Sequence, residues 1–143
     1  LANGGYLITP HLVSEIKTAD KEIKLNYKKG ERVISQSTAT TVKEMLVRVA
    51  RESATQYPLN RISELTKYRI AAKSGTAQIS IGGKYQETGT TASVIGFFPA
   101  DNPRFLVMVK LNEPEVRQWG SDTAGPVFFS IIRDLASYYR IMP

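Results

Sequence analysis

The sequence predicts an α+β fold: an antiparallel three-stranded meander with a C-terminal helix packed on it and a helical and hairpin region ahead of it. Three observations predict this. Residues 68–111 contain three extended runs joined by short links rich in glycine, proline, asparagine and aspartate. After Gly125-Pro126, the residues Val127, Phe128, Ile131, Ile132, Leu135 and Tyr139 form one wide helical face. Ahead of the sheet, Val42, Met45, Leu46, Val49 and Ala50 recur at the i, i+3, i+4, i+7, i+8 spacing of an amphipathic helix.

The elements follow in order. Leu1-Ala2-Asn3-Gly4-Gly5 has the residues of a helix stop with almost no helix before it, so the chain is expected to be part of a longer protein. Residues 6–16 alternate loosely as an extended segment broken at Pro10, and residues 23–27 and 31–34 flank Lys28-Lys29-Gly30 as a short exposed hairpin. The first helix starts near Ser37, with Thr41 and Glu44 spaced as a capping box. Pro58 closes that region, and residues 60–67 make an irregular or helical turn. Residues 68–81 form the first long strand. A polar connection over 82–90 leads to a second strand over 91–98, rich in β-branched and aromatic side chains. Turn formers at 99–103 lead to a third strand over 104–111, and Gly125-Pro126 opens the last helix with proline in its first turn. A single domain over 1–143 results, with a helical and hairpin subregion at 1–67 and the sheet plus C-terminal helix at 68–143.

Composition narrows the function. With 143 residues and 42% hydrophobic content the chain has the material for one core. The net charge of +6 is spread among acidic residues: even in the densest stretch, Lys21, Lys24, Lys28, Lys29 and Arg32 are interleaved with Asp20, Glu22 and Glu31, so a solvated hairpin rather than a basic groove for nucleic acid is predicted. Cysteine is absent, which removes disulfides and cysteine-based metal sites, and His11, the single histidine, makes a poor metal site without carboxylate or thiolate company. No apolar run approaches the ~18 residues that span a bilayer, so a membrane anchor is expected outside these residues.

The chemistry concentrates in Ala72-Lys73-Ser74-Gly75-Thr76-Ala77-Gln78. A cation, a hydroxyl, a glycine and a second hydroxyl in succession are an odd choice for packing alone. Along an extended chain Lys73 and Gly75 face one way and Ser74 and Thr76 the other, and Gly75 leaves room for a ligand backbone against the strand. Such a strand binds peptides by adding them to its edge. Taken structurally, Lys73 is instead an edge-strand gatekeeper and the hydroxyls are ordinary strand polars.

Lys73-Ser74-Gly75-Thr76 resembles the Lys-Thr/Ser-Gly element of penicillin-binding proteins and serine β-lactamases, which also use Ser-x-x-Lys and Ser-x-Asn elements. The likeness extends from Ala2-Asn3-Gly4-Gly5 with Pro10, through the Met45-Leu46 helix, to Val94-Ile95-Gly96-Phe97-Phe98-Pro99-Ala100, Asn112-Glu113-Pro114 and Gly125-Pro126-Val127-Phe128. These segments look like class B penicillin-binding proteins. Ala72 departs from the glycine that the family often places before the lysine.

The resemblance implies that the meander is part of a five-stranded transpeptidase sheet. It implies that Lys73 keeps the site electropositive and hydrogen-bonds the serine of the Ser-x-Asn element. Ser74 and Thr76 hydroxyls hold a substrate carboxylate, Gly75 permits close approach, and the Thr76 backbone N–H is half of an oxyanion hole. The implied activity is a serine-type D,D-transpeptidase that cross-links peptidoglycan through an acyl-enzyme, with no cofactor and no metal. Its implied partners are the peptidoglycan stem peptide, β-lactam antibiotics, the upstream half of the same domain and other cell-wall synthesis proteins, at the outer face of the bacterial cytoplasmic membrane. A serine β-lactamase, a penicillin-sensing receptor domain and a catalytically silent peptide-binding module share the strand and stand as alternatives.

Two patterns imitate the missing elements. Ser14-Glu15-Ile16-Lys17 spells Ser-x-x-Lys, but it follows Pro10 in an extended reading, where the two side chains do not meet as they do on a helix. Ser121-Asp122-Thr123 approximates Ser-x-Asn but ends in threonine and follows the Lys-Ser-Gly strand, in the wrong order for the family. The nucleophile is therefore expected upstream of Leu1, and the fragment alone is expected to be inactive.

Overall fold

The computed structural model describes every residue except 28–29, 57–62 and 116, and leaves undescribed the side chains of 54–56, 63 and 86–88. The chain forms two compact units, Leu1–Thr41 and Val42–Pro143. This division falls inside the first helix rather than at the 67/68 boundary read from the sequence.

In the first unit, the Asn3 carboxamide accepts from the Gly5 and Tyr6 N–H groups at 3.2 and 3.0 Å, and its amide donates to the Tyr6 carbonyl. Gly4 and Gly5 take φ of 78° and 100°, a turn that side chains resist. The turn sends the chain alongside residues 31–33, where Leu7 N–H donates to Glu31 O and Val33 N–H to Gly5 O. Arg32 lies 4.2 Å over the Tyr6 ring. Strands β1 (Glu15–Lys17) and β2 (Glu22–Lys24) pair antiparallel, with Ile16 opposite Ile23.

The expected hairpin between 23–27 and 31–34 is thus corrected. Residues 22–24 pair backwards with β1, and 31–33 pair with the chain start. Local turn propensity does not register a pairing set by Asn3 some thirty residues away. Lys28 and Lys29, the expected tip, lie outside the described residues.

Helix α1 (Gln36–Gln56) starts within one residue of the expected Ser37, but its cap lies ahead of the expected box. The Ser35 hydroxyl accepts from Thr38 N–H at 3.0 Å, so Ser35 is the cap in place of the Thr41 and Glu44 box. Glu44 is used elsewhere: both its oxygens lie 2.7 Å from the Arg69 guanidinium, which also reaches Asp101 at 2.8 Å. Lys43 joins at 3.8 Å from Asp101. The hydrogen bond to Glu44, with the charge of Asp101, raises Arg69 above the ordinary guanidinium range despite some desolvation. Arg69 therefore stays cationic at any working pH. This bracket ties α1 to the start of the sheet and to the turn around Asp101, where Ala100 N–H also bonds Arg69 O. A 3₁₀ turn (Ser63–Lys67) precedes the sheet.

Strands β3 (Ala71–Ile81), β4 (Lys84–Phe98) and β5 (Phe105–Asn112) form one antiparallel sheet in that order. The expected polar connection over 82–90 is mostly strand. Gly82 and Gly83, at φ 60° and 81°, make a two-residue turn of the primed kind, and the ladder carries the polar residues behind it. Helix α2 (Gly120–Tyr138) begins before Gly125, so Pro126 sits inside it and removes one helical hydrogen bond. Its opening has no apolar period because it is built from small buried residues, Gly120, Ala124 and Gly125.

One sheet face packs on α2. Ala72, Val94 and Val109 meet Phe128, Phe129 and Ile132 in the main core, while Ala71, Phe97 and Ala100 pack with Leu46 and Val47 of α1. Gly96 fixes the helix-to-sheet distance, since a Cβ there would stand 2.5 Å from Ala71 O and 2.7 Å from Phe128 Cζ. We expect Gly96→Ala to lower stability by about 1–3 kcal/mol through overpacking, read as a shift of the urea midpoint. An unchanged midpoint would show that α2 is free to shift away.

Candidate functional site

Along β3 the pleat sends Ala72, Ser74 and Thr76 toward the α2 side and Lys73 and Gly75 to the opposite face. Among the described residues β3 pairs with β4 alone, so its other edge is open. Lys73 is exposed, and its Nζ donates to the Ser74 carbonyl at 2.7 Å. No carboxylate pairs with it among the described residues. Its neighbours across the sheet are Ile95 on β4 and Met108 on β5, at 44% and 59% exposure. Leu106, on the same face, is 70% exposed. The ammonium thus stands beside an apolar patch of Ile95, Leu106 and Met108, on a sheet face that α1 covers only around Ala71 and Phe97.

Thr76 is held from the helix side. Gly120 N–H donates to its Oγ1 at 3.0 Å. Trp119, at the N-cap of α2, makes no side-chain cap bond, so the Thr76 hydroxyl satisfies one of the helix's orphan N–H groups from a neighbouring strand. Thr90 on β4, buried at 7% exposure, secures the loop that delivers Gly120: its hydroxyl donates to Gln118 O at 2.9 Å and its carbonyl accepts from Glu113 N–H at 2.9 Å.

Gly75 carries space rather than strain. A Cβ there would meet the Ser93 hydroxyl at 2.9 Å, and nothing else lies within 4 Å. Ser74 is half-buried and borders a cavity of about 20 Å³ that Ser53 and Ser121 also line. A larger groove of about 230 Å³, lined by Arg51, Lys67 and Tyr68, sits at the beginning of the strand around Arg69 and Ile70, away from Lys73.

The four residues singled out by sequence therefore lie on one open-edged strand, with Thr76 and Lys73 on opposite faces. Gly120 and Thr90 were missed. Neither falls in a motif, and both act through contacts distant in sequence.

The two imitating patterns resolve locally. Ser14 and Lys17 are not on a helix: Ser14 O accepts from Leu25 N–H, and Lys17, in β1, pairs with Glu15 at 3.1 Å. Ser121, Asp122 and Thr123 form the first turn of α2, where Thr123 Oγ1 donates to Trp119 O at 2.9 Å. Among the described residues no group of histidine, aspartate and glutamate is placed to hold a metal, and no helix is long and apolar enough to cross a membrane.

Residues 1–133 match the family model described as the penicillin binding protein transpeptidase domain. Stage V sporulation protein D of Bacillus subtilis is 34% identical over 142 residues, 99% of this chain and 22% of that protein. A probable peptidoglycan D,D-transpeptidase PenA of Neisseria flavescens is 34% identical over 80% of this chain and 28% of its own length. Among solved structures, a peptidoglycan synthetase from Bifidobacterium adolescentis aligns with TM-score 0.78 at 32% identity, over 98% of this chain and 24% of that one. Penicillin binding protein 3 of Mycobacterium tuberculosis, in complex with aztreonam, aligns with TM-score 0.78 at 26% identity, over 98% of this chain and 33% of that one. The chain spans between about a fifth and a third of the length of these relatives.

Because Thr76 caps α2 from outside, Thr76→Val should cost about 1 kcal/mol by leaving Gly120 N–H without its acceptor. Thr76→Ser should recover most of that loss in the same denaturant titration. Equal stability of all three proteins would mean that water replaces the hydroxyl.

Proposed function

Since the chain belongs to the penicillin binding protein transpeptidase domain family, we propose that it is one wall of the active cleft of a class B peptidoglycan D,D-transpeptidase. The observation that carries this reading is Lys73: among the described residues, an exposed ammonium without a carboxylate partner, on a strand whose second edge is unpaired. A gatekeeper lysine would explain the exposure, but not the run of hydroxyl, glycine and hydroxyl that follows it.

In the proposed reaction a serine hydroxyl attacks the carbonyl between the last two D-alanines of a stem peptide. An ester forms, the peptide bond breaks, and the departing D-alanine amine carries away the proton that the serine loses. An amine of a neighbouring strand then attacks the ester, and the serine oxygen regains a proton as the cross-link forms.

Within these 143 residues, Lys73 supplies positive charge beside the nucleophile and stabilises the hydroxyl that relays protons. The stem peptide lies along the open edge of β3 as an added strand, with Gly75 giving it room. Ser74 and Thr76 hydroxyls hold its carboxylate, and the Thr76 backbone N–H donates to the oxyanion. A β-lactam would enter as a mimic of the same peptide and stay as the acyl-enzyme.

The nucleophilic serine and the Ser-x-Asn element lie in the remainder of the parent protein. Support comes from the length of the relatives and from Ser14 and Lys17 being outside any helix. The exposed Ile95, Leu106 and Met108 give that remainder an apolar face on which to rest beside Lys73. The parent would work at the outer face of the cytoplasmic membrane, where the stem peptides are.

The full-length parent should be labelled by a fluorescent penicillin, and Lys73→Met should slow labelling by on the order of 10²–10³-fold. Folding should not change, because Lys73 is exposed. The 143-residue chain alone should not be labelled. Labelling of the isolated chain at Ser14, or an undiminished rate in Lys73→Met, would overturn the proposal.

A further inference from the structure

How Thr76 is set for its task follows from three contacts, and the inference rests on the transpeptidase reading above. A threonine hydroxyl has one proton to donate and two lone pairs to accept with, and it rotates to suit its neighbours. At Thr76 the accepting side is engaged by Gly120 N–H at 3.0 Å. That approach requires glycine, because a Cβ at residue 120 would stand 2.3 Å from the Gly75 carbonyl oxygen and 2.5 Å from that of Ser93. Both are backbone atoms that cannot swing aside. Behind Gly120, Thr90 fastens the loop at Gln118 and Glu113 and keeps the N–H aimed at β3.

We infer that Gly120 is a positioning residue for substrate recognition and that Thr90 is the staple that holds it in place. With one lone pair engaged by Gly120 N–H, the Thr76 hydroxyl keeps its proton free to donate, and a bond accepted by a hydroxyl strengthens the one it donates. A carboxylate only accepts hydrogen bonds, so it is the partner this hydroxyl is set to bind. A neutral ester in the same place gains much less. Gly120 thus contributes to the choice of an anionic substrate terminus without touching the substrate.

The test uses the full-length parent and two acylating agents, benzylpenicillin and its methyl ester, which differ in the carboxylate alone. Second-order acylation rate constants are measured for the wild type, Gly120→Ala and Thr90→Val, together with the thermal unfolding of each. The wild type should prefer the free acid. In both variants that preference should shrink by on the order of tenfold, the free acid losing more of its rate than the ester.

A variant that slows both agents equally has lost folded enzyme or general reactivity, and the positioning role falls. An unaltered preference overturns it as well. If Gly120→Ala does not accumulate as folded protein, Thr90→Val decides alone. Wild type that benzylpenicillin does not acylate sinks the transpeptidase reading, and this inference with it.

Discussion

The seating of α2 on β3 and β4 at Gly120 is close enough to exclude a side chain, and the geometry of the candidate site depends on it. Residue 120 has room for a hydrogen atom and nothing larger over Gly75 and Ser93. From that contact follow the Thr76 hydrogen bond, the capping of α2 by a strand hydroxyl in place of its own N-cap side chain, and the placement of Phe128 over Gly96 one helical stretch later. Two glycines, one under each end of the contact, let a helix lie where side chains would hold it away. In the proposed function the arrangement would couple recognition to stability, because the hydroxyl that finishes the helix is also the one offered to a ligand.

The opposite end of β3 is fixed by charge. Arg69 holds Glu44 of α1 and Asp101 of the β4–β5 turn, so the strand enters the sheet between two anchored elements. All these side chains are partly exposed, and each pair by itself is worth little. Their value lies in geometry, because one guanidinium with two carboxylate partners determines where β3 begins. Lys73, two residues into the strand, inherits that placement.

The sheet is packed across one face and covered on the other only where Ala71 and Phe97 meet Leu46 and Val47 of α1. Toward α2 it is packed with Val94, Val109, Phe128 and Ile132; on the other, Ile95, Leu106 and Met108 remain exposed around Lys73. An apolar face bordered by a cation is a costly surface to leave in water. It agrees with a chain that spans at most a third of the relatives compared with it. In the proposed reading, the cleft beside Lys73 is completed by whatever covers Ile95, Leu106 and Met108.

The sequence by itself determined the elements whose evidence is periodic or local: the α+β class, the apolar faces of α1 and α2, the three strands, and the Lys73-Ser74-Gly75-Thr76 run with its family resemblance. Period 3.6 and period 2 survive in one dimension because burial repeats along the element. What the tertiary structure decided was every feature set by a distant partner. Glu44 left a capping box for Arg69, residues 31–33 paired with the chain start through Asn3, and polar residues 84–90 became strand because a two-glycine turn brought them against β3. The opening of α2 at Gly120 had no periodic signal, since small residues mark closeness to a neighbour that the sequence does not name. For the same reason Thr90 and Gly120 stayed invisible until the strands and helix were side by side.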